Sequence, residues 1–136
     1  MSDFGAFRNP ERAKQLNVFE GLSSDGVEAT DIDGLIEYHN KGYIIYEIKH
    51  ENAEMPFGQR LAIERMIKDA SSCGKSAIAM VVEHSVSDYS QPVAVRECRV
   101  RELYYGKERR WRKPKRAMTA GELTDVVIRG IDSGMM

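Results

Sequence analysis

The chain has 136 residues, room for one hydrophobic core and not comfortably for two, and at 42% apolar and 30% charged it has an ordinary globular composition. No apolar run approaches the ~18 residues of a membrane span, and the opening MSDFGAFRNPERAK has no apolar signal core, so neither a membrane partner nor export is expected. The net charge of −1 hides an asymmetry: residues 94–116 hold ten basic and three acidic side chains, which makes that segment +7 and leaves −8 for the rest.

Asn9-Pro10-Glu11 opens a helix, with Asn as cap, Pro at the first helical position and Glu11 at the positive end of the dipole. Ala13, Leu16 and Phe19 form its apolar stripe, Gly21 stops it, and Glu20 falls on the same face as Ala13 and Leu16. GLSSDGVEATD is turn-rich, with a short strand near residues 27–30. Residues 33–38 and 43–50 read as strands joined by His39-Asn40-Lys41-Gly42. A helix is expected from residue 56 to about 72, with Ala62, Ile63, Met66 and Ala70 inward and Gly74 beyond its end. AIAMVV, residues 77–82, has the continuous apolar character of a central strand buried on both faces. PVAVRECRVRELYY is strand-like with broken alternation, as a bulge would give. A basic arm follows at about residues 106–117. Thr119-Ala120-Gly121-Glu122 is a capping box for a last helix with Leu123, Val126, Val127 and Ile131 inward. The expected fold is a single α/β domain over residues 1–136, a mixed β-sheet flanked by helices.

One pairing in this layout is a poor way to build a core. Residues i and i+2 of a strand share a face, so Glu47 and Lys49 point the same way, and the hairpin brings Asp33 beside one of them. Buried charges cost several kcal/mol unless they are paired or hold a metal. Two carboxylates suit Mg²⁺, which takes oxygen ligands and leaves places for water and substrate phosphate. Asp31, two residues before Asp33, competes for the same role; Asp33 is preferred because Gly34-Leu35-Ile36 starts the apolar strand directly after it.

Asp33, thirteen intervening residues and then Glu47-Ile48-Lys49 resemble the D…(D/E)xK signature of the PD-(D/E)XK nuclease superfamily. The order helix, short strands with a hairpin, helix, strand resembles that superfamily's restriction-endonuclease-like core over about residues 9–84. The resemblance implies that Asp33 and Glu47 are metal ligands for Mg²⁺ or Mn²⁺, joined by the Ile48 backbone carbonyl. It implies that an acid of the first helix, matched by Glu20, assists directly or through water, and that Lys49 orients or activates the attacking water. The chain resembles the resolvase-like or viral-type replication-repair branch, and some branches, including exonuclease-like and viral-type repair nucleases, place a Gln on the next helix. Gln59 matches it, and it precedes Ala62, Ile63, Met66 and Ala70 by 3, 4, 7 and 11, on their face. The chain departs from the pattern at Ile32, where Pro is common, and at Ile63, where a Tyr often follows the Gln.

Residues 107–116 hold seven basic side chains around Trp111. Arg109, Arg110, Arg112, Lys113, Lys115 and Arg116 would track phosphates, with Trp111 stacking on a base or sugar. His39, His50 and His84 lack zinc spacing. Cys73 and Cys98 stand alone without CxxC, which suits structural thiols in a reducing cytoplasmic setting. The expected activity is hydrolysis of phosphodiester bonds by a metal-dependent endonuclease, in DNA rather than RNA. So small a chain leaves little room to read a long site. Structure-selective cutting, or cutting as a homodimer or part of a larger assembly, is therefore expected. The alternative is a non-catalytic module of the same fold that grips nucleic acid or a protein partner.

Overall fold

The computed structural model describes residue 11 and residues 14–136. They divide into a first unit ending at Thr30 and a second unit, Asp31–Met136.

In the first unit β1 (Ser23–Ser24) pairs antiparallel with β2 (Val27–Glu28). Asp25 and Gly26 turn between them, both at positive φ (54° and 75°), as a two-residue Asp-Gly hairpin requires. Asn9, Pro10 and Ala13 lie outside the described residues. The expected helix does not run through residues 14–20: a turn and a bend give way to irregular chain. Leu16 is 90% exposed and Phe19 is exposed too, so no inward stripe forms. A helix this short is marginal without a face to bury. Glu20 sits exposed in a turn closed by the Leu22 N–H donating to the Phe19 carbonyl at 3.0 Å.

The second unit is a five-stranded mixed sheet with one long helix on each face. Its elements are β3 (Gly34–Tyr38), β4 (Gly42–His50), α1 (Phe57–Ser72), β5 (Ser76–His84), β6 (Arg99–Tyr105), β7 (Trp111–Arg112) and α2 (Ala120–Asp132). The strands lie in chain order, parallel at β4–β5 and antiparallel elsewhere. The parallel pair needs a crossover, and α1 supplies it. The β3–β4 turn is tighter than expected, because Gly42 already belongs to β4. His39 and Asn40 take positive φ, and the Lys41 N–H reaches the Tyr38 carbonyl at 2.8 Å.

Alternation sorts the strand residues into two cores. Ile45, Ala77, Ala79, Val81 and Tyr104 pack with Ile63 and Ile67 of α1. Ile44, Tyr46, Ile78, Met80, Val82 and Leu103 pack with Leu123, Val127 and Ile131 of α2. The central strand β5 feeds both, as its unbroken apolar run requires. Each helix turns one expected residue outward and keeps others inward: Ile63 and Ala70 of α1 pack on the sheet as expected, and so do Leu123, Val127 and Ile131 of α2. Ile63 and Ile67, a turn apart, carry the α1 contact, while Met66 is 46% exposed. Leu123, Val127 and Ile131 repeat every four residues on α2, and Val126 turns outward. The capping box is formed: the Thr119 hydroxyl accepts from the Glu122 N–H at 3.2 Å, and the Glu122 carboxylate accepts from the Thr119 N–H at 2.9 Å. The broken alternation before Tyr105 is a short 3-10 turn (Val95–Glu97) and then a bulge, where Val81 faces Glu102 and Val82 faces Val100, so that Arg101 is the extra residue. Cys98 is buried, and Cys73 is exposed just past α1.

Candidate active site

The hairpin register builds the site. Gly34 faces Tyr46, so Asp33, one residue earlier, comes level with Glu47. The Asp33 carboxylate accepts a hydrogen bond from the Ile48 N–H at 2.8 Å. In an extended strand the N–H and C=O of one residue point to the same side, so the Ile48 carbonyl is directed toward the same edge as Asp33. Glu47 and Lys49 share the α1 side of β4 with Ile45, as alternation demands.

Glu47 is 1% exposed, and neither of its carboxylate oxygens has a hydrogen-bond partner. The Lys49 ammonium lies 3.8 Å away. Burial, reinforced by the charge of Asp33 and opposed by Lys49, pushes the Glu47 carboxyl up to about 7. A buried carboxylate that accepts no hydrogen bond is costly even with an ammonium 3.8 Å away, so this is an expensive arrangement for structure alone.

Gln59 lies one turn before Ile63 and two before Ile67, on the inward face of α1. That spacing is more regular than the sequence pattern had offered. Its side-chain oxygen accepts from Lys49 Nζ at 3.4 Å, and its amide donates to the Asp31 backbone carbonyl at 3.3 Å. The structure therefore brings Asp33, Glu47, Lys49 and Gln59 together, and it separates the two candidate aspartates. Asp33 presents its carboxylate beside Glu47, whereas Asp31 contributes a main-chain oxygen to Gln59. Glu20 belongs to the first unit, on an exposed turn and not on the helix that suggested it. Among the described residues no cluster of three or more His, Cys, Asp or Glu side chains is placed to hold a metal. The donor set in the second unit is the Asp33–Glu47 pair with the Ile48 carbonyl. The two partnerless Glu47 oxygens fit a hard cation, which favours carboxylate oxygen.

The basic arm is partly ordered as β7. Trp111 is used inside the fold: its indole N–H donates to Glu64 at 2.7 Å, its ring packs 5.3 Å from Tyr104, and the Arg60 guanidinium lies 4.5 Å above it. Arg112 is tied to Glu108 at 2.7 Å. Arg109, Arg110, Lys113, Lys115 and Arg116 are exposed.

Sequence patterning had not singled out two charged clusters on the α1 side. Arg60 forks onto Glu102 at 2.7 and 3.2 Å. Arg101, re-aimed by the bulge, donates to Glu83 at 2.9 Å and to the Ala53 and Glu51 carbonyls at 2.6 and 2.5 Å. It thereby fastens the connector between β4 and the first turn of α1. The broken alternation around Arg101 was the one signal available for it. No family model, curated protein or solved structure matches this chain.

Proposed function

We propose that the chain is a metal-dependent nuclease with a restriction-endonuclease-like core, hydrolysing phosphodiester bonds in DNA. The observation that carries this reading is the buried Glu47 carboxylate, beside Asp33 and Lys49, with both oxygens partnerless. Asp33, Glu47 and the Ile48 carbonyl are the groups that would hold Mg²⁺ or Mn²⁺. When bound, the ion supplies Lewis-acid charge to the phosphoryl oxygens. Lys49 brings an ammonium to the same place, where it would donate to a phosphate oxygen or orient the attacking water. Gln59 holds Lys49 through its side-chain oxygen and is itself fixed by Asp31, so the ammonium is aimed before substrate arrives.

One observation favours a second reading. Lys49 already lies within ion-pair distance of Glu47, as it would in a non-catalytic module that never takes up a metal. A thermal-shift titration with Mg²⁺ and Mn²⁺ separates the two. A nuclease site should gain stability as the ion saturates it, and the gain should vanish in Glu47→Gln and Asp33→Asn. In parallel, single-stranded, duplex and branched DNA should be cut in the presence of the ion by the wild type and not by Lys49→Ala. A flat titration with no cleavage would leave the binding module.

A further inference from the structure

A groove of about 1060 Å³ opens on the α1 side of the sheet, lined by seven Lys or Arg side chains against three Glu. Most of this charge is already spent within the chain. Arg60 is held by Glu102, Arg99 and Arg101 by Glu83, and Arg112 by Glu108. Lys113, Lys115 and Arg116 have no ion pair among the described residues, and all three line the groove. Phe57, the first residue of α1, lines it too and is 78% exposed. A large aromatic ring left in water inside a concave, cationic groove gains nothing from folding.

We infer that this groove is a binding site for single-stranded DNA, with Lys113, Lys115 and Arg116 on the phosphates and Phe57 as the surface on which a base stacks. A single strand offers a charged edge and an aromatic edge, and the groove offers a counterpart to each. A duplex keeps its bases stacked inside and has nothing to place on Phe57. Trp111, the aromatic that the sequence pattern puts forward, has its N–H committed to Glu64 and lies packed with Tyr104 and Arg60, so it contributes to the groove as a fixed wall. The first turn of α1 carries Phe57 and Arg60 to the groove and Gln59 to the Asp33–Glu47–Lys49 cluster. The inference rests on the nuclease reading for its purpose, and its test does not depend on chemistry.

The test is fluorescence anisotropy with labelled oligothymidylate and a duplex of equal length, in EDTA so that nothing is cut. The wild type should prefer the single strand. Phe57→Ala should weaken single-strand binding by roughly 5- to 150-fold, as loss of one stacked base does, and should leave duplex binding little changed. Phe57→Tyr should restore it. Phe57 is exposed, so the thermal midpoints of these variants should match the wild type. Equal affinity of Phe57→Ala and wild type for the single strand would overturn the inference. So would absence of any nucleic-acid binding, or displacement of the strand by polyglutamate at equal charge concentration, which would mark the groove as a surface for an acidic protein. The ion-linked thermal shift would still report on the metal site in each of these cases.

Discussion

Glu47 is the residue at which stability and function pull apart. Its ordinary carboxyl value of 4.5 is raised to about 7 in the folded chain, by burial first and by Asp33 next. Between those two values the unfolded chain has lost the proton and the folded chain still holds it. Stability therefore falls as pH rises through this window and is lowest above about 7. The full effect is on the order of 3 kcal/mol. Glu47→Gln keeps the shape and removes the ionisation. It should leave stability close to wild type at pH 4 and raise the thermal midpoint above wild type at pH 8, with no divalent ion present. A Glu47→Gln variant less stable than wild type at pH 8 would mean that the carboxylate is satisfied and has no need of a cation. The same proton competes with a metal, so ion affinity should weaken by about tenfold for each pH unit below 7.

At the level of elements, close packing between neighbours decides what patterning leaves open. Gly42 pairs with Ser76 at the start of the parallel strands, and a Cβ there would land on the Ser76 carbonyl oxygen and 2.9 Å from Ile131 Cδ1. The Ser76 oxygen is backbone and cannot swing aside, so Gly42→Ala should cost about 1–3 kcal/mol in urea denaturation. Gly58, on the first turn of α1, faces open space. Gly58→Ala should be neutral or stabilise by up to about 1 kcal/mol, and the opposite signs separate close approach from helix propensity. Elements with strong periodicity or a cap were legible in sequence: the hairpin, the buried run of β5, the bulge and the Thr119 box. The outward turn of Met66 and Val126 was not, because Met66 and Ile67, or Val126 and Val127, are equally apolar and only the sheet beneath chooses between them. The extent of the first helix misled for a related reason: Glu11 is helical, and no helix reaches residues 14–20. Asn-Pro-Glu states how a helix would start, and nothing in the sequence states whether Leu16 and Phe19 will find a surface to cover. In the site, strand alternation placed Glu47 with Lys49, and the turn length placed Asp33. The tie from Gln59 to Asp31 and the Arg101 clamp depend on a loop path that no periodicity encodes.

For the whole chain the net charge of −1 is less informative than its partition, with +7 gathered in residues 94–116. The structure refines that number, because Arg99 and Arg101 of this stretch are paired with Glu83 and Arg96 with Asp125, acids that lie outside it, while Arg112 is held by Glu108 within it. Binding that depends on the arm should therefore be weaker in salt dependence than a count of seven suggests, and should rest on its unpaired members. Replacing Lys113, Lys115 and Arg116 together by Ala should lower the log–log salt slope for single-stranded DNA by about 2, at about 0.7 for each phosphate that the arm no longer neutralises. It should weaken affinity for every sequence alike. Lys49→Ala should behave in the opposite way: one partly buried charge held by Glu47 and Gln59 adds little to affinity, so binding and salt slope should persist while cleavage stops. Anisotropy across a salt series, paired with a cleavage assay on each variant, reads both effects on one set of proteins. An unchanged slope in the triple variant would assign residues 113–116 to solvent or to a protein partner, whatever Lys49 proves to do. A slope that falls in Lys49→Ala as well would place bound phosphates at the carboxylate cluster in addition to the arm.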